Sequence, residues 1–351
     1  AGGDPYDLFV MNGPHFPYHA FSETLLDLTP FIEREGLDML ELFPEYLVDL
    51  YTWRGKVYGL GWWQATIAIY YNKTMFEEAG LPLPPGDWDW DGYLGTALGL
   101  KREDGDRIMQ YGTISPSSRQ TGWYPLVLQN GGELFNPERT KALFDSSEGI
   151  AAFQFAVDLI LKHRVAPTNE AIADMDARST FMSGRVGMYP SGSWEMDPSR
   201  LGGIEEFVWD ITPLPRKVRQ ACAIHGSAMV ASSLTKYPEE AWQFAKHETL
   251  TEIGEAATAV FNMPGSKRGV AYYISRYTEQ GLNAQVFLDA MNYGYWYPTS
   301  LYAAEWEAKQ DSVVTEMWAG DKEVEPGVKE MVALTNEILD REQEELKAKY
   351  G

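Results

Sequence analysis

Residues 60–73 read LGWWQATIAIYYNK, with Trp62 and Trp63 side by side between Gly61 and Gln64. Successive side chains of a strand point to opposite faces, so one indole turns inward and the other outward. The sequence leaves open which is which. The chain carries 20 Tyr and 12 Trp, large amphipathic rings that suit a surface built to grip something. Other residue types with chemical potential are less organised. Asp87, Asp89 and Asp91 in DWDWDG imitate the opening of a calcium loop. The bidentate Glu needed at its twelfth place is Leu98, and prolines replace the preceding helix. A carboxylate capping the helix that follows is the better reading. His15, His19, His163, His225 and His247 have no metal-ligand spacing, and Pro14 and Pro17 argue that the first two lie in a loop. Nucleophile-elbow, zincin, P-loop and dinucleotide-binding motifs are absent. Carboxylates are plentiful, but abundance alone does not make a glycosidase pair. Asn72-Lys73-Thr74 fits a glycosylation sequon, a weak pattern.

At 351 residues with a formal net charge of −22, the chain exceeds what one core usually serves, so two lobes are expected. The charge disfavours nucleic acid and anionic membranes as partners and favours solubility. Cys222 stands alone and reads as a small buried residue. No stretch reaches the about 20 apolar residues of a membrane span, and no signal peptide is visible. AGGDPYDLFVMNG does not read as a natural beginning.

Strands and helices alternate, which predicts an α/β fold. Strands are expected at Asp7–Met11, in GKVYGL, ATIAIYY, RVGMY and FVWDITPLP, and in AIHGSAMVA with a break at Gly226. NKTMFEEAG predicts a helix ended by Gly80. FDSSEGIAAFQFAVDLILKHR predicts another, opened by an Asp145–Glu148 capping box. Pro238 starts a third, and the segment from about Leu301 to Tyr350 is mainly helical.

Four stretches, in order, carry a family resemblance. They are LLDLTPFIEREG; GKVYGLGWWQATIAIYYNKTMFEEAGLP; LVLQNGGELFN with FDSSEGIAAFQFAVDLILKHRVAP; and FMSGRVGMYPSGSWE with WDITPLP and YPEEAWQFAKHETL. Together they resemble the extracellular solute-binding proteins of ABC importers, in the carbohydrate-binding branch that includes maltose-binding protein. The resemblance implies two α/β lobes joined by hinge crossings, closing on a solute that a membrane permease then receives. One lobe takes 1–66 and 224–293, the other 67–223 and 294–351. It also implies an opening strand, helix and strand ahead of Asp4–Met11, so the chain reads as a truncated one that starts inside the first lobe, with apolar surface uncovered there. No catalysis, cofactor or metal is implied. The protein is expected to be a monomer outside the cytoplasmic membrane, free in a periplasm or lipid-anchored.

A sugar offers hydroxyls and C–H ring faces, which call for polar side chains beside aromatic ones. In such folds ligands meet the carboxyl ends of strands. That rule nominates Asn12 and His15; Trp62, Trp63 and Gln64; Trp123; Ser191, Trp194 and Glu195; His225, Gly226 and Ser227; and Tyr295, Trp296 and Tyr297. Trp123 is open between core and ligand face, and Trp306 reads as packing with stacking as its alternative. Trp90, Trp209, Trp242 and Trp318 are assigned to packing. Gly226 would supply backbone freedom at a hinge. The number of rings favours a di- or oligosaccharide. The rivals are a glycerol phosphate or other phosphorylated or polyol solute, which would call for Arg or Lys, with Arg119 the nearest; a secreted carbohydrate-active enzyme, with Glu195 as its one nameable carboxylate; and a sensor that presents its closed form to a receptor.

Overall fold

The apolar runs Ile67–Asn72 and Cys222–Ala231 are buried along their whole length, as strands covered on both faces must be. The protein is described here from a computed structural model covering residues 6–168, 170–172 and 175–351. The strands that matter for function are β1 (Leu8–Asn12), β2 (Gly59–Ala65), β3 (Ile67–Asn72), β4 (Arg102–Asp104), β5 (Arg107–Thr113), β6 (Val186–Gly192), β7 (Trp209–Pro213), β8 (Cys222–Ala231) and β9 (Met263–Pro264).

The chain forms two compact units. The first comprises Ala1–Ala65, Ile224–Gly281 and Tyr297–Ala304, the second Thr66–Ala223, Leu282–Trp296 and Glu305–Gly351. The sequence places the third crossing at 293/294. Instead, Leu282–Trp296 belongs to the second unit, although Gly294–Trp296 within it forms a short strand paired with β8. Asn283 N–H donates to Asp210 Oδ1 at 2.9 Å, and Thr66 Oγ1–H donates to the Phe287 carbonyl at 2.7 Å. The chain then returns to the first unit, where Tyr297 N–H donates to the Ile224 carbonyl at 3.0 Å.

In the first unit the strand order is β1–β8–β2–β9, all antiparallel. Its core gathers Phe16, Phe43, Leu47, Tyr51 and Trp242. Tyr51 Oη–H is shared between the carbonyls of Met11 at 2.7 Å and Gly226 at 3.0 Å, pinning β1 to β8. β8 runs unbroken through Gly226, and the irregularity lies one residue on. Ser227 sits opposite Trp63 but Ala228 sits opposite Gly61, so Trp62 is the extra residue of a β-bulge. Gly226 does not supply unusual backbone freedom. A Cβ there would stand 2.5 Å from Leu47 Cδ1, and one on Gly61 would stand 2.3 Å from Leu47 Cδ2. Both glycines let the helix Glu45–Leu50 approach the sheet.

In the second unit the order is β4–β5–β6–β3–β7, antiparallel except where β5 runs parallel to β6. Aromatic rings fill its core, with Trp123 against Phe144 and Phe153, and Phe153 against Trp318. Trp306 packs with Phe135. Cys222 is buried, its thiol donating to the Ala290 carbonyl at 3.6 Å, and burial pushes its pKa up to about 12.

Local chemistry sets the helix ends. Asp89 caps Trp90–Leu100 by accepting from Gly92 N–H, which accounts for one carboxylate of DWDWDG. Asn72 is buried and caps Lys73–Ala79 by accepting from Met75 N–H, so its amide is not presented as a glycosylation acceptor. Gly80 ends that helix at φ +66. The expected Asp145–Glu148 capping box shifts by one residue. Ser146 is the cap and Gly149 the residue it caps, which leaves Glu148 as a first-turn charge. His15 and His19 are not in an irregular loop, because Gly13–His15 is a 3-10 turn and Phe16–Phe21 a helix. Each of Pro14 and Pro17 occupies a first-turn position, where a missing N–H costs nothing.

Two glycines test this packing in opposite directions. A Cβ on Gly112 would lie 2.0 Å from the Ala97 carbonyl oxygen, a backbone atom that cannot step aside. Gly112→Ala is expected to cost about 2 kcal/mol or more in urea unfolding. Gly95, inside Trp90–Leu100, has open space where its Cβ would be. Gly95→Ala is expected to add about 0.5–1 kcal/mol. A neutral Gly112→Ala would show that β5 and this helix are less closely packed than described.

Candidate functional site

The bulge decides the tryptophan pair. With Trp62 as the extra residue, Gly61 and Trp62 share a side, and Trp63 emerges on the other with Ser227 opposite it. Trp62 packs on the first unit's core and edge-on to Phe261 at 5.4 Å, its Nε1–H buried without a partner. Like Trp63 it is half-buried, but its contacts are with this core. Gln64 is buried, with Nε2–H donating to the Pro264 carbonyl at 2.9 Å. Gly226 contributes close packing rather than a contact surface.

Trp63 is half-buried and lies 5.4 Å from the His225 ring at an interplanar angle of 31°. Tyr297 meets the same imidazole edge-on at 5.9 Å. Three candidates distant in sequence therefore form one aromatic group in the first unit. Ser227 is buried, while Asn12, its partner across the β1–β8 ladder, is exposed. His15 is exposed at the turn after β1. Burial, with a smaller push from the His15 charge, lowers the His225 pKa to about 4. The ring is therefore neutral near pH 7, and its Nδ1 is buried without a hydrogen-bond partner.

In the second unit the candidates Ser191, Trp194 and Glu195 come together at the end of β6. A Cβ on Gly192 would fall within 2.4 Å of three atoms of the Trp194 six-membered ring, so the indole lies directly on that glycine. Glu195 is 1% exposed. Arg178 Nε–H and Nη2–H donate to its two oxygens at 2.6 and 3.1 Å. Trp194 Nε1–H, Tyr189 Oη–H and Ser191 Oγ–H donate to Oε1 at 3.0, 3.2 and 3.3 Å. Burial and the Arg178 guanidinium together shield the Glu195 carboxylate from a solute. It stands behind the site, and the Ser191 hydroxyl is committed to it.

Trp123 is 0% exposed and belongs to the core. Its segment Arg119–Trp123 is a π-turn, with Trp123 N–H donating to the Ser118 carbonyl at 3.0 Å. Such turns frequently mark functional sites. Here Ser115 Oγ and Gln120 Nε2 are buried without partners, which adds two polar groups that pattern reading missed. Arg119 is engaged with the Glu307 carbonyl and the Asp311 carboxylate. Tyr295 and Trp296 are half-buried, and the Arg219 guanidinium lies 4.8 Å from the Tyr295 ring centre. Arg178, Tyr189 and Arg219 were also missed, since only the fold brings them to their partners. Among the described residues no group of three or more His, Cys, Asp or Glu is placed to hold a metal ion.

The sequence profile of the bacterial extracellular solute-binding proteins matches residues 1–253. An arabinooligosaccharide-binding protein of Halalkalibacterium halodurans is 28% identical over 128 residues, 36% of this chain and 27% of that protein. A lactose-binding protein of Rhizobium radiobacter is 23% identical over 251 residues, 66% of this chain and 56% of that protein. The chain therefore matches only 27% and 56% of the length of these two curated relatives. Among solved structures, the ABC substrate-binding protein Lmo0181 from Listeria monocytogenes, in complex with cycloalternan, is similar with a TM-score of 0.88 at 22% identity. That match covers 97% of this chain and 86% of the other, and it establishes likeness of fold.

His225 makes the first unit acid-sensitive. Its imidazole titrates at about 4 when folded against 6.5 ordinarily. Between those values the unfolded chain binds more protons, so stability rises with pH there and is fully present above the unfolded value. Lowering the pH from 7 to 4.5 should cost on the order of a few kcal/mol from this group. His225→Gln should lose less over the same change, measured as the shift in urea midpoint. Equal losses would mean that His225 is not the neutral group described.

Proposed function

Because the chain belongs to the bacterial extracellular solute-binding proteins, we propose that it binds a di- or oligosaccharide outside the cytoplasmic membrane and delivers it to the permease of an ABC importer. The observation that carries the reading is Trp194. Its ring is seated on Gly192, its N–H is held by Glu195, and it remains only half-buried. An indole fixed this way offers a flat, electron-rich face and no hydrogen-bond donor, which matches the C–H face of a pyranose or furanose. Trp63, backed by His225 and Tyr297, supplies a second aromatic surface, on the first unit. Exposed Asn12 and His15 supply polar groups for hydroxyls. The oligosaccharide and lactose ligands in the relatives' names support the same class.

The rival readings have less support. A phosphorylated solute calls for a cation, yet Arg119 and Arg178 are both engaged with carboxylates. A glycosidase calls for a carboxyl group that can exchange a proton with substrate, and Glu195 is buried and paired with Arg178. No helix among the described residues is long and apolar enough to cross a membrane.

Titration by calorimetry against lactose, maltose, arabinotriose and glycerol 3-phosphate tests the reading. Saturable binding of a sugar at about 1 μM or tighter (about −8 kcal/mol) is expected, with no product formed. Trp63→Ala and Trp194→Ala should each weaken it about tenfold or more, near 1.4 kcal/mol. Trp62→Ala should instead lower thermal stability. Binding of glycerol 3-phosphate alone would overturn the carbohydrate assignment.

A further inference from the structure

Glu195 differs from the other carboxylates near the candidate residues in being almost wholly inside the protein while accepting five hydrogen bonds. Four of the five converge on Oε1, and one of those is the Trp194 N–H. Arg178, whose side chain is 33% exposed, grips the carboxylate in a two-point contact. That pairing holds the guanidinium pKa above its ordinary value. Arg178 is itself placed by the short helix Ala177–Met182, which Asp176 caps through the Ser179 N–H at 2.7 Å. The floor under the indole is equally fixed, since Tyr70 Oη–H donates to the Gly192 carbonyl at 2.8 Å.

A tryptophan in a loop ordinarily turns about two side-chain torsions. Here the glycine below sets its height and the carboxylate sets its rotation. We propose that the Arg178–Glu195 ion pair is a positioning device for solute binding, which locks the Trp194 plane so that a solute meets the indole face and never its N–H. The inference rests on Trp194 as a solute contact and assigns the two residues behind it. Arg178 balances the buried carboxylate and bonds both of its oxygens, and Oε1 accepts from the guanidinium and the indole together. With that geometry set before the solute arrives, the ordering cost of the ring falls on folding and not on binding. The pair also sets a preference. A solute at this ring must present an apolar face, so polyols and small anions are selected against.

The test uses the full chain and the tightest-binding sugar among lactose, maltose and arabinotriose. Glu195→Gln is close in shape but offers one acceptor oxygen, for which indole and guanidinium compete. It is expected to raise Kd about five- to tenfold in the parent and less than about twofold in a Trp194→Phe background, where no N–H remains to be held. Arg178→Met should behave like Glu195→Gln, and Arg178→Lys should recover most of the affinity. Equal weakening in both backgrounds, or none in the parent, would overturn the proposal. Near-ultraviolet circular dichroism gives a second readout without solute. The Trp194 contribution, taken as parent minus Trp194→Phe, should collapse when Glu195 is Gln, and its persistence would also overturn the proposal. If no sugar binds the parent, the carbohydrate reading fails, and the dichroism still decides the positioning role.

Discussion

A carboxylate with 1% of its surface exposed survives only if its charge is balanced and its lone pairs are filled. Glu195 meets both conditions through Arg178, Tyr189, Ser191 and Trp194, and most of the second unit's candidate site follows from that need. The strand Val186–Gly192 supplies the two hydroxyls, and the chain then turns so that residues 194 and 195 fall back on the strand's end. Gly192 is required because the indole occupies the place of its side chain. An interaction that is only a pair in a list of ion pairs thus orders a strand end, a turn and an aromatic surface.

The first unit reaches a similar result by a different route. No charge anchors Trp63. Its direction comes from a one-residue bulge and from glycines 61 and 226, which let Leu47 press against the sheet. The surface it helps to form, with His225 and Tyr297, is apolar and neutral near pH 7. The two aromatic surfaces therefore differ in character. One is held by a buried ion pair and the other by packing around an uncharged imidazole.

Much of the fold is legible along the chain. The α/β alternation, Gly80 as a helix stop, Pro238 as a helix start and the burial of Trp90, Trp209, Trp242 and Trp318 all follow from local rules, and the structure agrees with each. Local rules failed at closely competing caps and where a neighbour distant in sequence intervened. The capping box at Asp145 lost to Ser146 by one residue. Pro14 and Pro17 marked helix starts rather than a loop. The third crossing moved because Asn283 and Phe287 found hydrogen-bonding partners in the second unit, at Asp210 and Thr66. Trp123 lay in an irregular segment yet filled the core, because the π-turn folds its ring under the surface.

The sequence by itself determined the class of protein: an acidic two-unit α/β chain rich in aromatic residues, without catalytic motifs, and with phrases that resemble solute-binding proteins. It also determined that one indole of the Trp62–Trp63 pair points outward, because period-two alternation is a property of the strand alone. Only the tertiary structure decided which one. A bulge is defined by the partner strand's register, and that partner lies more than 160 residues away in sequence. Likewise Glu195 reads in sequence as a candidate ligand residue beside a tryptophan. That it is buried, and spent on holding the indole, depends on an arginine 17 positions earlier whose placement only the folded chain specifies.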